Sequence, residues 1–281
     1  MENREMLDMV NQSYEKLTEQ ELTNLGVVLG SYRSFRGNRR AHIAYVGMPI
    51  TTGKRFYEVL TREGVKTKEE LITKCGPASL FELVIKPNID EGIVFADELG
   101  RREDLLFIAP SVFEAKKWRW TDDAYMALWY RVIGEMAGRH IVMDGWEYSY
   151  GGLREVFFSM LLQWRIIRSF NLEVANQEFG LNLQPNQFYP SASDEIQAMW
   201  KMRIFDANGN EIRLDQALNK AVKAIQDLQE RGFECDNLFN ITWKLMQIPF
   251  FSPFLMSADP IRRDMSPLYY GAYDQLHSMK N

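Results

Sequence analysis

Three residues in the stretch 139–155, RHIVMDGWEYSYGGLRE, have the types and spacing to act on a polar ligand: Asp144, Ser149 and Glu155. A short apolar run from His140 to Met143 predicts a buried strand, and Asp144-Gly145 predicts the turn that ends it. Ser149-Tyr150-Gly151-Gly152 then leads into the apolar segment 156–162, which predicts a helix. Strand, loop, glycines and helix in that order put the loop at the carboxyl end of a strand, where open α/β sheets bind ligands. Glu155 is expected in the first turn of that helix, where the helix dipole stabilises an anion and suits a nucleophile. The same residues also read without chemistry: Asp144 as a turn residue, Ser149 as an N-cap and Glu155 as an ordinary first-turn acid.

A second stretch has the makings of an anion site. Residues 42–47 predict the first core strand, followed by Gly47-Met48-Pro49-Ile50-Thr51-Thr52-Gly53-Lys54-Arg55. This loop offers glycines for close backbone approach, two hydroxyls, and two cations where a helix should begin. It equally fits a strand-to-helix turn with a threonine cap. The spacing from Gly47 to Gly53 breaks the G-x-x-x-x-G-K-[ST] pattern, which disfavours nucleoside triphosphate hydrolysis. No G-x-G-x-x-G follows the strand, which disfavours NAD chemistry.

The elements that must position these loops follow from periodicity. Residues 2–30 predict a helix, and the basic run 32–40 a connector. Helices are expected near 54–60 and 67–75, a strand near 81–89, and a second core strand at 105–110. Thr121 should cap a helix with Asp122 and Asp123 in its first turn, its aromatic stripe facing the core. Beyond 171 come a polar stretch, a helix at 194–200, a tight turn at 206–210, and a long amphipathic helix stopped by Gly232. Short apolar strands separated by helical segments predict an α/β, Rossmann-like (flavodoxin-like) parallel sheet flanked by helices. The expected division is an N-terminal helix and connector (1–40), an α/β core (41–175) and a mainly helical C-terminal extension (176–281).

Composition narrows the class. The chain has 281 residues, 46% hydrophobic and 25% charged, with a net charge of -5, which predicts a globular protein and makes a nucleic-acid partner unlikely. Cys75 and Cys235 form no C-x-x-C pair, so no zinc site is expected and a reducing, cytoplasmic setting is. No apolar run approaches the ~20 residues of a membrane span, so no membrane association is expected. The aromatic, proline-broken tail from 241 to 256 needs cover, either from the core or from a second subunit of a homo-oligomer.

Ser149-Tyr150-Gly151-Gly152-Leu153-Arg154-Glu155 has the S-x-G-x-x-x-E spacing of the nucleoside 2-deoxyribosyltransferases and the related nucleoside 5'-monophosphate N-glycosidases, a family the chain resembles. Ala44 to Gly53 is similar to that family's first strand and sugar-phosphate loop, so the resemblance covers roughly residues 40–170. It implies cleavage or transfer at an N-glycosidic bond, with Glu155 as the nucleophile at C1'. Asp144 would contact sugar or base, and Asp122 or Asp123 would help protonate the leaving base. Gly47, Pro49, Ile50, Thr51, Thr52 and Arg55 would hold the sugar and any 5'-phosphate, with Ser149 and Gly151 shaping the motif. Trp146 or Tyr148 would stack on the base. The expected partner is a nucleoside or nucleotide, with neither metal nor organic cofactor. The alternative, suggested by the long C-terminal extension, is a nucleotide-binding or sensing protein that keeps the fold without turnover.

Overall fold

A computed structural model describes residues 17–36, 43–103, 105–113, 120–169 and 202–247, with 275, 278 and 279. Four strands form one parallel sheet: β1 (Ile43–Gly47), β2 (Leu106–Ile108), β3 (Arg139–Val142) and β4 (Arg203–Phe205), in the order β2-β1-β3-β4. Register pairs Ile43 with Leu106, Tyr45 with His140 and Ile141 with Phe205. The fold is thus the expected α/β, Rossmann-like sheet with flanking helices. The strand order steps from β1 to β2 on one side and then back to β3 on the other. The loops after β1 and β3 therefore diverge at the carboxyl edge, at the switch point where such sheets open a crevice.

Eight helices are described: α1 (Glu19–Arg36), α2 (Lys54–Glu63), α3 (Lys68–Cys75), α4 (Lys86–Arg102), α5 (Asp122–Glu135), α6 (Tyr150–Ser169), α7 (Leu214–Glu230) and α8 (Asp236–Gln247). Alternation along the strands sorts the sheet into two faces. Ala44, Val46 and Ile141 pack with Leu99, Phe95 and Ala96 of α4. Ile43, Tyr45 and Val142 pack in the larger core, with Leu128, Val132 and Ile133 of α5 and Leu153, Val156 and Phe157 of α6. Burying each such large apolar side chain is worth about 1.5–3 kcal/mol, so this second face holds most of the stabilisation. No helix among the described residues is long and apolar enough to cross a membrane.

Four expectations need correction. The run 81–89 is helical, not a strand: a π turn, Phe81–Ile85, runs directly into α4. The wide turn stands immediately before Pro87, whose ring has no N–H to give and would crowd a tight α turn. The basic run is no connector up to Arg36, because α1 continues through it; residues 37–42 lie outside the described residues. Glu155 is not in the first turn of its helix. Ser149 caps α6, which begins at Tyr150, so Glu155 is its sixth residue and the first turn holds no acid. Finally, β4 comes from the segment expected to be an appended extension, yet it completes the sheet beside β3. The turn at 206–210 and α7, closed by Gly232 at φ 72°, lie where expected. The expected helix at 194–200 and the tail beyond 247 lie outside the described residues.

Candidate active site

Each loop at the switch point is shaped by a glycine. After β1, Gly53 sits at φ 99°, and a Cβ there would stand 2.4 Å from Pro49 Cβ. The loop is fastened from α4: Asn88 Nδ2 donates to the carbonyl oxygens of Ile50 (2.9 Å) and Thr52 (3.4 Å). Arg55 Nε donates to Asn88 Oδ1 at 2.9 Å, and its guanidinium also pairs with Glu91. After β3, Gly145 turns the chain at φ 85° into a short 3-10 turn, Trp146–Tyr148. Ser149 Oγ accepts from Gly152 N–H at 3.3 Å, which caps α6. A Cβ on Gly152 would fall 2.7 Å from the Trp146 carbonyl oxygen, so this glycine is required by packing, whereas Gly151 has ordinary room. The two loops are clasped by Thr52 Oγ1 donating to Ser149 Oγ at 3.1 Å.

Beside Gly47 lies Glu155, 6% exposed. Its Oε1 accepts from Tyr45 Oη at 2.8 Å. Its Oε2 stands 3.3 Å from where a Cβ on Gly47 would be, and His140 Nε2 stands 2.5 Å from the same point. Gly47 is thus the position that lets strand backbone, carboxylate and imidazole meet. Arg154 points elsewhere: its Nε donates to Tyr130 Oη at 2.8 Å, and its guanidinium lies over the rings of Tyr130 and Tyr150.

Burial dominates the electrostatics. It pushes the Glu155 carboxyl up to about 8, against the opposing pull of the Tyr45 hydroxyl and the Arg154 charge. The same cause lowers His140 to about 3, so its ring is neutral at all ordinary pH. Tyr45 is raised well above its usual range by burial and by Glu155. Glu147, in the turn after β3, is also raised by burial, eased by Lys220 and Lys54 and reinforced by Asp144.

The expected site residues divide accordingly. Two pairs meet, Thr52 with Ser149 and Gly47 with Glu155. Asp144 is exposed and Asp123 half-buried: Asp144 lies in the turn just after β3, and Asp123 stands one turn before Met126, whose sulfur approaches Gly151. Thr51 is exposed. Ile50 leans on the apolar face under α4, and Pro49 is buried against Gly53. Trp146 is 1% exposed and belongs to the core, so burial takes it out of the base-stacking role; Tyr148 stays half-buried beside Tyr57. Arg55 is engaged by Asn88 and Glu91 rather than extended over the loop as a clamp.

Sequence reading missed Tyr45, His140, Asn88 and Glu147. The first two were visible only as members of strands. The signal that could have found them is alternation, since Tyr45 and Gly47, like His140 and Val142, are two apart and so share a face. Among the described residues, no three of His, Cys, Asp and Glu converge as metal ligands. Comparison with protein-family models, curated proteins and solved structures finds no match.

Proposed function

We propose that this chain cleaves or transfers at the N-glycosidic bond of a nucleoside, ribo- or deoxyribo-, or of its 5'-monophosphate, with Glu155 as the nucleophile. The observation that carries this reading is the buried Glu155 carboxylate, bonded to Tyr45 of β1 and standing beside Gly47 at the end of that strand. It lies next to the switch point between β1 and β3, whose following loops are joined through Thr52 and Ser149. A carboxylate oxygen of Glu155 forms a bond to C1' as the C1'–N bond breaks, and the bonding pair leaves with the base. An acid protonates that base; Asp144 and Asp123, on the side where the loops open, are the candidates. Water or a second base then attacks C1' and releases Glu155, in the two-step logic of retaining glycosidases. The charge developing on the sugar ring favours ionised Glu155, so the transition state draws out the anion that burial opposes in the unliganded protein.

A non-catalytic, nucleotide-binding reading is favoured by one observation. With its carboxyl raised to about 8, Glu155 is only about one tenth ionised at pH 7. A panel of nucleosides and their 5'-monophosphates, assayed by chromatography for free base, separates the two. Base released by the wild-type protein and not by Glu155→Gln supports catalysis, and adding a second base as acceptor distinguishes transfer from hydrolysis. Binding without release from any member of the panel would leave the sensor.

A further inference from the structure

His140 is fully buried, uncharged and outside the mechanism above, yet it faces the nucleophile. Its Nδ1 is 2.8 Å from Ser159 Oγ, one turn beyond Glu155 on α6. Its Nε2 has no hydrogen-bond partner among the described residues. That nitrogen is directed into the small space over Gly47, where Glu155 Oε2 also stands. An unpaired buried imidazole nitrogen is costly to leave unsatisfied, and Glu155 Oε2 is a carboxylate acceptor bordering the same space.

We propose that His140 is a positioning residue for Glu155: Ser159 Oγ–H donates to Nδ1, which fixes the ring proton on Nε2, directed at the second carboxylate oxygen across the Gly47 space. Tyr45 Oη already donates to Oε1, and the Nε2–H of His140 would face Oε2 across the Gly47 space, with no hydrogen bond between the two in the structure as it stands. Both donors belong to neutral rings and sit opposite each other in the β1–β3 register. Donors to a carboxylate favour its ionised form without placing a competing cation beside C1'. The other groups that face the pair are Arg154 on α6, Tyr130 on α5 and, beyond Tyr45, Tyr32 on α1.

The inference rests on Glu155 as nucleophile, but its test needs no substrate. The chain has three histidines, so substituting His42→Gln and His277→Gln leaves the His140 ring alone in a 15N spectrum. The expected signature is a protonated Nε2 and a bare Nδ1 between pH 6 and 8. In parallel, the 13C-carboxyl titration of Glu155, assigned by its loss in Glu155→Gln, gives the ionisation midpoint directly. His140→Phe should raise that midpoint by roughly one pH unit, a tenfold fall in the ionised fraction. Ser159→Ala, which preserves the core should the phenyl ring fail to fold, should move the midpoint in the same direction by less. His140→Gln, whose amide can donate, should restore part of the shift. A proton found on Nδ1, with Nε2 accepting from a protonated Glu155, would overturn the assignment, as would an unmoved midpoint in the foldable variants. Failure of base release with these signatures intact would instead sink the glycosidic reading and leave the buried pair standing.

Discussion

On β1, Ala44 and Val46 lie against α4, whereas Tyr45 between them lies against α5 and α6. On β3 the same alternation sends Ile141 to the first face and His140 to the second. The first face is an apolar seal of small and branched side chains. The second carries a polar line, Ser159, His140, Tyr45 and Glu155, inside the larger core. A short strand thereby does two jobs: the pleat separates apolar packing from polar contacts at every second residue, so each can vary without the other. That division also explains the raised carboxyl. Glu155 is buried in the larger core, and hydrogen bonds rather than solvent must support its charge.

The sharpest way to break this comparison is at Glu155. Glu155→Gln keeps the shape and the Tyr45 contact but removes the charge that balances a developing oxocarbenium ion. Base release should fall at least about 100-fold, the scale of losing one preorganised electrostatic contact. Far-UV circular dichroism should stay unchanged. Near wild-type release would reduce the polar line to a packing feature.

The opposite face should respond in the opposite currency. Ile141→Ala removes a buried side chain from the α4 side and should lower stability by about 2–5 kcal/mol in urea unfolding. At a temperature where the variant is folded, kcat/KM should remain close to wild type. A large catalytic loss with little destabilisation would show that the two faces are not independent.

The pH dependence sharpens the contrast from within the polar line. Glu155 rises from 4.5 to about 8 on folding, so it favours the folded state below pH 4.5 and that contribution is lost as pH climbs to 8. His140 falls from 6.5 to about 3, so its contribution is present above pH 6.5 and is lost as pH drops toward 3. Between 4.5 and 6.5 the two slopes cancel. Thermal unfolding should therefore show a Tm plateau there, falling on both sides; Glu155→Gln should abolish the alkaline fall and turn the plateau into a rise of Tm with pH up to about 6.5, the His140 slope alone. On the proposed mechanism activity follows a different curve, because the anion would attack: kcat/KM should rise about tenfold per pH unit and level off near pH 8.

Much of this was legible in the sequence, for identifiable reasons. The three strands ending at Gly47, Ile108 and Val142 announce themselves as apolar runs between turn formers. Thr121 and Gly232 punctuate helices as their chemistry dictates. The loops after β1 and β3 could be paired because both leave the carboxyl ends of strands. Tertiary pairing was not legible. β4 is three residues long, too short for alternation to register, and a π turn before Pro87 reads like a strand because its apolar residues are consecutive. The helix start at Tyr150 moved Glu155 into the second turn, so burial rather than the helix dipole governs its charge. Trp146 was one of two candidates to stack on a base, but the left-handed Gly145 folds the chain so that its ring enters the core.

The smallest expected effect lies at Arg55, and it sharpens the comparison of the two loops. A guanidinium free over the start of α2 would read a 5'-phosphate. Here it is bonded to Asn88 and Glu91, and Asn88 in turn holds the carbonyls of Ile50 and Thr52. Arg55 therefore acts on the β1 loop through Asn88, as a support. Arg55→Ala should loosen that loop and lower kcat/KM by a modest factor, about 1 kcal/mol or roughly fivefold for one hydrogen bond in a half-exposed setting. The loss should be equal for a nucleoside and its 5'-monophosphate, and Asn88→Ala, which removes the partner of Arg55 and both loop anchors, should lower the two equally and by more. Kinetics on the two paired substrates, in the wild type and both variants, decide the matter. A loss confined to the monophosphate in Arg55→Ala, and absent from Asn88→Ala, would show that Arg55 leaves Glu91 for the ligand and reads its phosphate directly.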